Sequence, residues 1–259
     1  MVDTGDPRIR LSIEGQLATI TIARPEKFNA LDYGMVLALE RAAHIIDADG
    51  SIRAAIITGE GEKSFCAGGD IEAWSALSPG DFGLAWVRHG HRAFDALARL
   101  RQPLIASLNG HTLGGGLELA ATADFRIAEE HVKLGSPETG LGIIPGWSGT
   151  QRTVNRFGAQ VVRRMALLGE VFTAEEGLPL GLVDALAPKG QGLSAAKAMA
   201  GKIMRRGPLA TQATKMLINA AEGEEVSRPL EALAGGLASS SENLRKGVAA
   251  FRDKRTPEF

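Results

Sequence analysis

Ser107-Leu108-Asn109-Gly110-His111-Thr112-Leu113-Gly114-Gly115-Gly116-Leu117-Glu118-Leu119-Ala120-Ala121 reads as an apolar strand entering a glycine turn that opens straight into a helix. Three consecutive glycines remove every side chain at the turn, so a ligand can approach the backbone N–H groups closely. Those groups belong to the first turn of a helix, have no intrahelical acceptor and sit at the positive end of the helix dipole. Such a turn suits a developing negative charge. Glu118 follows in the same first turn. Taken alone it reads equally as a first-turn charge or capping group and as a catalytic carboxylate. A second stretch, Leu134-Gly135-Ser136-Pro137-Glu138-Thr139-Gly140-Leu141-Gly142, places another glutamate in a loop punctuated by glycine and proline after a short strand, the kind of loop that commonly carries function.

The rest of the composition narrows the class. With 259 residues, 44% of them hydrophobic, and a net charge of −1, the chain has the length for a full core and no electrostatic footprint for nucleic acid or an anionic membrane surface. An anionic ligand must therefore be met locally. The single cysteine, Cys66, forms no intramolecular disulfide and excludes a multi-cysteine metal cage. Residues 1–9 carry Asp3 and Asp6 with no apolar targeting core, and no uncharged apolar run approaches membrane-spanning length. The expected location is the cytoplasm.

Working outward in chain order, residues 8–14 and 16–23 read as a hairpin about Gly15, followed by the polar loop Arg24-Pro25-Glu26-Lys27-Phe28-Asn29-Ala30-Leu31. From Asp32, a cap candidate, Met35, Leu39, Ala42, Ala43 and Ile46 recur at helical spacing to residue 49. Residues 54–58 form a buried strand, and Gly68-Gly69 before Asp70 again joins a loop to a helix start, so two glycine turns offer N–H groups to one ligand. Residues 82–100 read as one long helix, 102–108 as a strand with Pro103 at its edge, 124–128 and 132–134 as short strands, 150–157 as a helix and 182–186 as an edge strand. Beyond Ser194 the pattern is helical over 194–206, 209–221, 225–237 and 243–254. An α/β core over 1–190 and a helical region over 191–259 follow, with no low-complexity linker between them.

Several motifs fail on their own terms. The loop after residue 58 has Gly59 and Gly61 but Ser64 where a dinucleotide fingerprint needs its third glycine. Gly146-Trp147-Ser148-Gly149-Thr150 has Thr150 where a nucleophile elbow needs glycine, and no strand precedes it. His89 and His91, two apart on a helix, point to different faces and make no metal pair. Cys66 has no evident base partner and reads as a buried structural residue. Arg205-Arg206, Arg252, Lys254 and Arg255 read as solvated faces on composition alone.

The segments now assembled resemble the enoyl-CoA hydratase/isomerase, or crotonase, family over almost the whole chain. They are Arg24 to Leu31, Phe65-Cys66-Ala67-Gly68-Gly69-Asp70-Ile71, Asn109-Gly110 with Gly114 to Ala120, and Pro137-Glu138 through Pro145-Gly146 to Gly149-Thr150-Gln151-Arg152, in order. The resemblance implies a crotonase-like α/β spiral of repeated ββα units, a helical C-terminal region used in trimerisation, a homotrimer or a homohexamer made of two trimers, and an acyl-CoA thioester as ligand. It implies that the N–H groups of Gly69 and Gly115 form an oxyanion hole around the thioester carbonyl, and that Glu118 and Glu138 are the two catalytic carboxylates that hold one water. For CoA and substrate it implies Arg24 and Lys27 near the phosphates, backbone around Ala67 and Gly68 at the adenine, and Phe251 and Lys254 completing the nucleotide site from a neighbouring subunit. Asp70, Ile71, Trp74 and Gly146 fall within or beside the matching segments and are carried as substrate-binding positions.

Two departures from the family pattern matter. Ser148 replaces a usual glycine, and Trp147 stands where small residues are frequent, so its indole either reshapes the acyl pocket or is merely core. The reading expected is a 2-enoyl-CoA hydratase, since isomerases of this family typically keep one carboxylate and both are present in this chain. The alternatives are an enoyl-CoA double-bond isomerase or another acyl-CoA enzyme of the family, an RNA-binding role, for which the helix from Met35 offers Arg41 as its only cation, and a silent acyl-CoA-binding subunit. No metal or redox cofactor is implied; CoA arrives with the substrate. Neither nucleic acid nor membrane is expected as a partner.

Overall fold

The computed structural model describes residues 2–259, with residues 227–230 described by backbone alone. The chain opens with an antiparallel hairpin, β1 (Ile9–Glu14) and β2 (Leu17–Ile22), turning through Gly15 at φ 60°. Helix α1 (Tyr33–Ala48) follows, capped by the Asp32 carboxylate on the Met35 N–H, and leads to β3 (Ala54–Gly59), β4 (Ser64–Cys66) and the short helix α2 (Ile71–Ser75). A single turn α3 (Pro79–Asp81), a π-turn over Phe82–Val87 and α4 (Arg88–Ala98) precede β5 (Leu104–Leu108), β6 (His111–Leu113) and α5 (Gly115–Ala120). Then come β7 (Phe125–Glu129), β8 (Lys133–Gly135), a 3₁₀ turn over Glu138–Leu141, α6 (Gly149–Phe157), α7 (Ala159–Leu168), β9 (Val171–Thr173), α8 (Ala174–Gly177) and β10 (Ala185–Ala187). Helices α9 (Gly192–Met204), α10 (Pro208–Ala221), α11 (Ser227–Ser239) and α12 (Glu242–Arg252) complete the chain.

Two sheets organise these elements. The larger has the order β1-β2-β3-β5-β7-β10, parallel from β2 onward, and the smaller has the order β4-β6-β8-β9. Each repeat gives one strand to each sheet and then turns: β3 then β4, β5 then β6, β7 then β8. These are the ββα units that the resemblance implied. Strand β3 is buried along its whole length, as its run Ala54-Ala55-Ile56-Ile57 requires of a parallel strand covered on both faces. Ile57, Ala106 and Leu108 face a core shared with Leu39 of α1 and Phe94 and Leu97 of α4. Ile56, Ile105 and Ile127 face a smaller cluster closed by Ala196 and Ala200 of α9.

The organising stretch departs from its reading as a single strand and turn. The strand stops at Leu108, and Asn109-Gly110 carries the chain into the second sheet before the glycine turn is reached. Long-range packing causes the step: Asn109 accepts from the Gly59 N–H (2.9 Å) and donates to the Gly61 carbonyl (2.6 Å), while a side chain on Gly110 would collide with the Lys63–Ser64 backbone. Likewise the single helix expected over 82–100 begins as a π-turn, and α7 and β9 lie in a segment that the sequence left without elements. The expected edge strand after residue 182 is β10.

Compactness divides the chain after Gln212, and the second unit, Ala213–Phe259, is helical. None of the described helices is long and apolar enough to cross a membrane, and no cluster of three or more metal-ligating side chains occurs among the described residues.

Candidate active site

The two glycine turns are packed against each other by backbone. In the first, the Leu31 N–H donates to the Gly68 carbonyl and the Asp70 N–H to the Leu31 carbonyl, both at 2.8 Å. Gly68 has φ +99°, and a methyl there would lie 2.9 Å from the Gly115 nitrogen. In the second, Gly114 has φ +55° and donates to the Gly135 carbonyl (3.0 Å), and a side chain on Gly116 would fall inside the Cys66 carbonyl. Glycine is thus dictated by the approach of one repeat to the next. The N–H groups of Gly69 and Gly115 donate to no acceptor among the described residues, and both residues line one cavity.

That cavity, of about 100 Å³, is also lined by Ala67, Gly68, Ile71, Trp74, Glu118, Glu138, Gly146 and Trp147, so ten of the expected positions converge on it. Glu118 and Glu138 approach it from different elements. Glu118 lies in the first turn of α5, whose cap is Gly114 without a side-chain bond, so Glu118 does not cap its own helix. Its Oε1 instead accepts the Trp147 N–H (2.8 Å), in the turn that starts α6. Burial above all, then the neighbouring Glu138 charge, pushes the Glu118 carboxyl up to about 8 against the pull of the Trp147 and Gly149 N–H groups and the Arg152 charge. Glu138 starts the 3₁₀ turn; its Oε2 accepts from the Ser136 hydroxyl (2.7 Å) while its buried Oε1 has no hydrogen-bond partner. Burial raises its carboxyl too, against the Ser136 bond.

Behind Glu118 stands a network that the sequence reading missed. Ser148 holds φ +65°, a left-handed conformation uncommon for a non-glycine residue, at the cap position of α6. His91 Nδ1 lies 2.6 Å from the Ser148 hydroxyl, which lies 3.3 Å from Asp95 Oδ1, and Arg152 donates to the same oxygen at 2.7 Å. Asp95 only accepts, and the Ser148 hydroxyl between it and His91 has one proton to give, so the tautomer of His91 decides which of the two receives it. Burial holds His91 below the ordinary imidazole value, opposed by the Asp95 charge. The visible signal in the sequence is Ser148 itself. It reads there only as a departure from the family pattern, because its partners lie 57 and 53 residues away on α4.

Other expected positions fall outside the cavity. Arg24 pairs with Asp70 (2.8 Å) and donates to the Ala30 carbonyl, and Asp70 caps α2. Burial works against the Asp70 charge, yet the Arg24 bond and charge and two N–H groups keep its carboxyl below the usual range. Lys27 pairs with Glu72 at 2.9 Å. Ala67 also lines a second cavity, of about 580 Å³, with Phe28, Lys63, His111, Leu113 and His131. Lys63 is a cation that the motif reading passed over because it stands outside the glycine turn. Cys66 is buried, its thiol pushed up to about 12 by desolvation, which leaves no thiolate for chemistry. His89 meets Tyr33 and His91 meets Ser148, on different faces as expected. Phe251, 85% exposed, and Lys254, at φ +53°, belong to the second unit.

Comparison with known proteins agrees over this whole length. The sequence profile described as enoyl-CoA hydratase/isomerase matches residues 12–259. A crotonyl-CoA hydratase of Syntrophomonas wolfei is 36% identical over 256 residues, covering 97% of each chain, and a short-chain-enoyl-CoA hydratase of Clostridium acetobutylicum is 35% identical over 253 residues, covering 96% of this chain and 95% of that one. Among solved structures, an enoyl-CoA hydratase from Bacillus anthracis superposes with a TM-score of 0.81 at 30% identity, covering 97% of this chain and 98% of that one. With the sheets, the two glycine turns and the paired glutamates in place, the chain belongs to the enoyl-CoA hydratase/isomerase family.

Proposed function

We propose that the protein is a 2-enoyl-CoA hydratase, adding water across a trans-2,3 double bond to give the 3-hydroxyacyl-CoA. The observation that carries this reading is the convergence of two buried, upward-shifted carboxyls and two glycine N–H groups on one cavity. The names of the relatives at 35–36% identity support it. The thioester oxygen sits between the Gly69 and Gly115 N–H groups, where the negative charge of the enolate accumulates; one donor in such a hole is worth about 2.7–4 kcal/mol of barrier.

Water is held between the glutamates. Its oxygen bonds to C3 while one of its protons passes to Glu118, and Glu138 delivers a proton to C2 as the enolate collapses. One proton must therefore be shared by the pair, and like charges at close range in a desolvated pocket ensure that the two carboxyls do not both ionise near neutral pH. In the free site the deeper burial of Glu118 favours it as the holder. For this division of roles the proton reaches Glu138 through the bound water, leaving Glu118 charged against the Trp147 and Gly149 N–H groups, both of which favour its ionised form. Glu118 is the oriented base, and Glu138, with Oε1 unpartnered, is the proton carrier.

CoA phosphates lie near Arg24 and Lys27, joined by Lys63 beside Ala67, and the adenine meets backbone near Ala67 and Gly68. The helical C-terminal region serves trimer assembly, with Phe251 and Lys254 closing a neighbour's nucleotide site. The test is the loss of enoyl-thioester ultraviolet absorbance on mixing with crotonyl-CoA, with product mass measured. Gain of one water supports the reading; an isomer of unchanged mass from a longer enoyl-CoA, with no hydration, refutes it.

A further inference from the structure

We propose that the site is built for short acyl groups without an anionic end, and that Trp147 is the residue that sets the limit on length. The inference rests on the hydratase reading for the direction in which the thioester lies, and names the acyl group that the reading leaves open. With the carbonyl at the Gly69 and Gly115 N–H groups, the acyl carbons run between the two glutamates. The Trp147 indole stands directly beside them: its ring atoms lie 3.1 Å from where a methyl on Gly115 would sit and 3.3 Å from where one on Gly69 would sit.

This wall does not yield. Trp147 and Trp86 are 3% and 5% exposed, their ring centroids are 5.0 Å apart, and Phe94 presents its edge to Trp147 at 5.1 Å. On the far side, α4 passes with Gly90, where any side chain would fall inside the indole. Gly90 and Gly115 are thus shaped around this ring, and Gly69 around Trp86, at 2.9 Å, as well as around Trp147. The whole pocket, rim included, is about 100 Å³. An apolar cavity of about 150 Å³ takes a benzene ring, so this one suits an acyl group of about four carbons.

Charge narrows the class further. Among the described lining residues the two glutamates are the only charged ones, so an anionic tail meets only carboxyls. Another route for a long chain is over the rim, where Leu141 and Ile144 are 57% and 74% exposed.

The test compares kcat/KM for trans-2-enoyl-CoAs of increasing chain length, and for those ending in a carboxylate, in the wild type and in Trp147→Gly and Trp147→Leu. A single unaccommodated methylene costs about 10-fold or more in such pockets. The wild type should therefore fall at least about 10-fold between four and eight carbons, and Trp147→Gly should recover about 10-fold of that ratio, with Trp147→Leu between. Equal use of four and eight carbons by the wild type would overturn the proposal and send the tail over the Leu141 rim, and preference for the carboxylate tail would overturn it as well. Calorimetric binding of butyryl-CoA and octanoyl-CoA to the wild type separates this from the reaction assigned. Tighter butyryl-CoA binding with no hydration of any enoyl-CoA would remove the hydratase reading and keep the size limit, whereas equal affinities would remove the size limit itself.

Discussion

Glu118 and Glu138 share a cavity but not a kind of support. Glu118 rises from the first turn of a wholly buried helix, and its carboxylate is fixed by N–H groups from a turn 29 residues further on. Glu138 stands on a 3₁₀ turn whose other residues are exposed, and a single hydroxyl two residues before it holds one oxygen while the other is unpartnered. A carboxylate with fixed direction is suited to orient water; one with a free oxygen at the end of a looser loop is suited to carry a proton. Unequal scaffolding of two identical side chains is how one site obtains a base and an acid from the same residue type.

The comparison breaks most visibly in proton exchange at C2. In deuterated buffer with butyryl-CoA, Glu138→Gln should lose exchange by about 10²-fold or more, within the range of general acid–base catalysis, while Glu118→Gln keeps the larger residue of it. The opposite pattern, followed by NMR, would reverse the two roles and leave the proton where the titration order of the free site puts it. Next in size is Gly149→Ala. A methyl there would strike the Glu118 carboxylate, so kcat should fall about 10²-fold with near-normal CoA binding, as a displaced catalytic group does. Wild-type kcat would show that the anchor at this turn is dispensable.

Stability supplies a signed test of the Glu118 environment. Its carboxyl is raised in the folded protein, so the protonated form is favoured by folding; the contribution is full below the ordinary glutamate value, near pH 4.5, and is lost as pH climbs through about 8. Glu118→Gln lacks that loss. The stability of the variant relative to wild type should therefore increase between pH 5 and 9, on the order of 1–3 kcal/mol, in urea titrations. A flat difference would place Glu118 in solvent. The smallest effect belongs to Ser136→Ala, which removes the side-chain bond that steadies charged Glu138. A lost hydrogen bond to a charged group costs about 1.5–3 kcal/mol, so about 10-fold or somewhat more in kcat, with the Glu138 limb of the pH profile moved upward.

Much of this site is legible in the amino-acid sequence alone. The two glycine turns, Glu118 and Glu138 lie in short segments whose chemistry is local: absent side chains, helix-start N–H groups, a carboxylate in a bracketed loop. What stays hidden depends on contacts between distant residues. Nothing near Asn109 says that its amide is taken by Gly59 and Gly61 of the preceding repeat, which is why the strand looks continuous into the turn. Nor does Ser148 announce His91 and Asp95 as the partners that accompany its left-handed backbone. The alternation between two sheets eludes periodicity for a related reason, since strands of three residues such as β4 and β6 are too short to show a pattern. Trp147 stands open between pocket and core in the sequence; it lines the cavity and is 3% exposed, so both descriptions apply.

Initial rates of crotonyl-CoA hydration by the wild type, Glu118→Gln and Glu138→Gln, each checked for folding, put the central claim to the test most directly. Two carboxyls acting on one water predict that the wild type hydrates crotonyl-CoA and that each variant loses about 10²-fold or more. Hydration by both variants at the wild-type rate would contradict it.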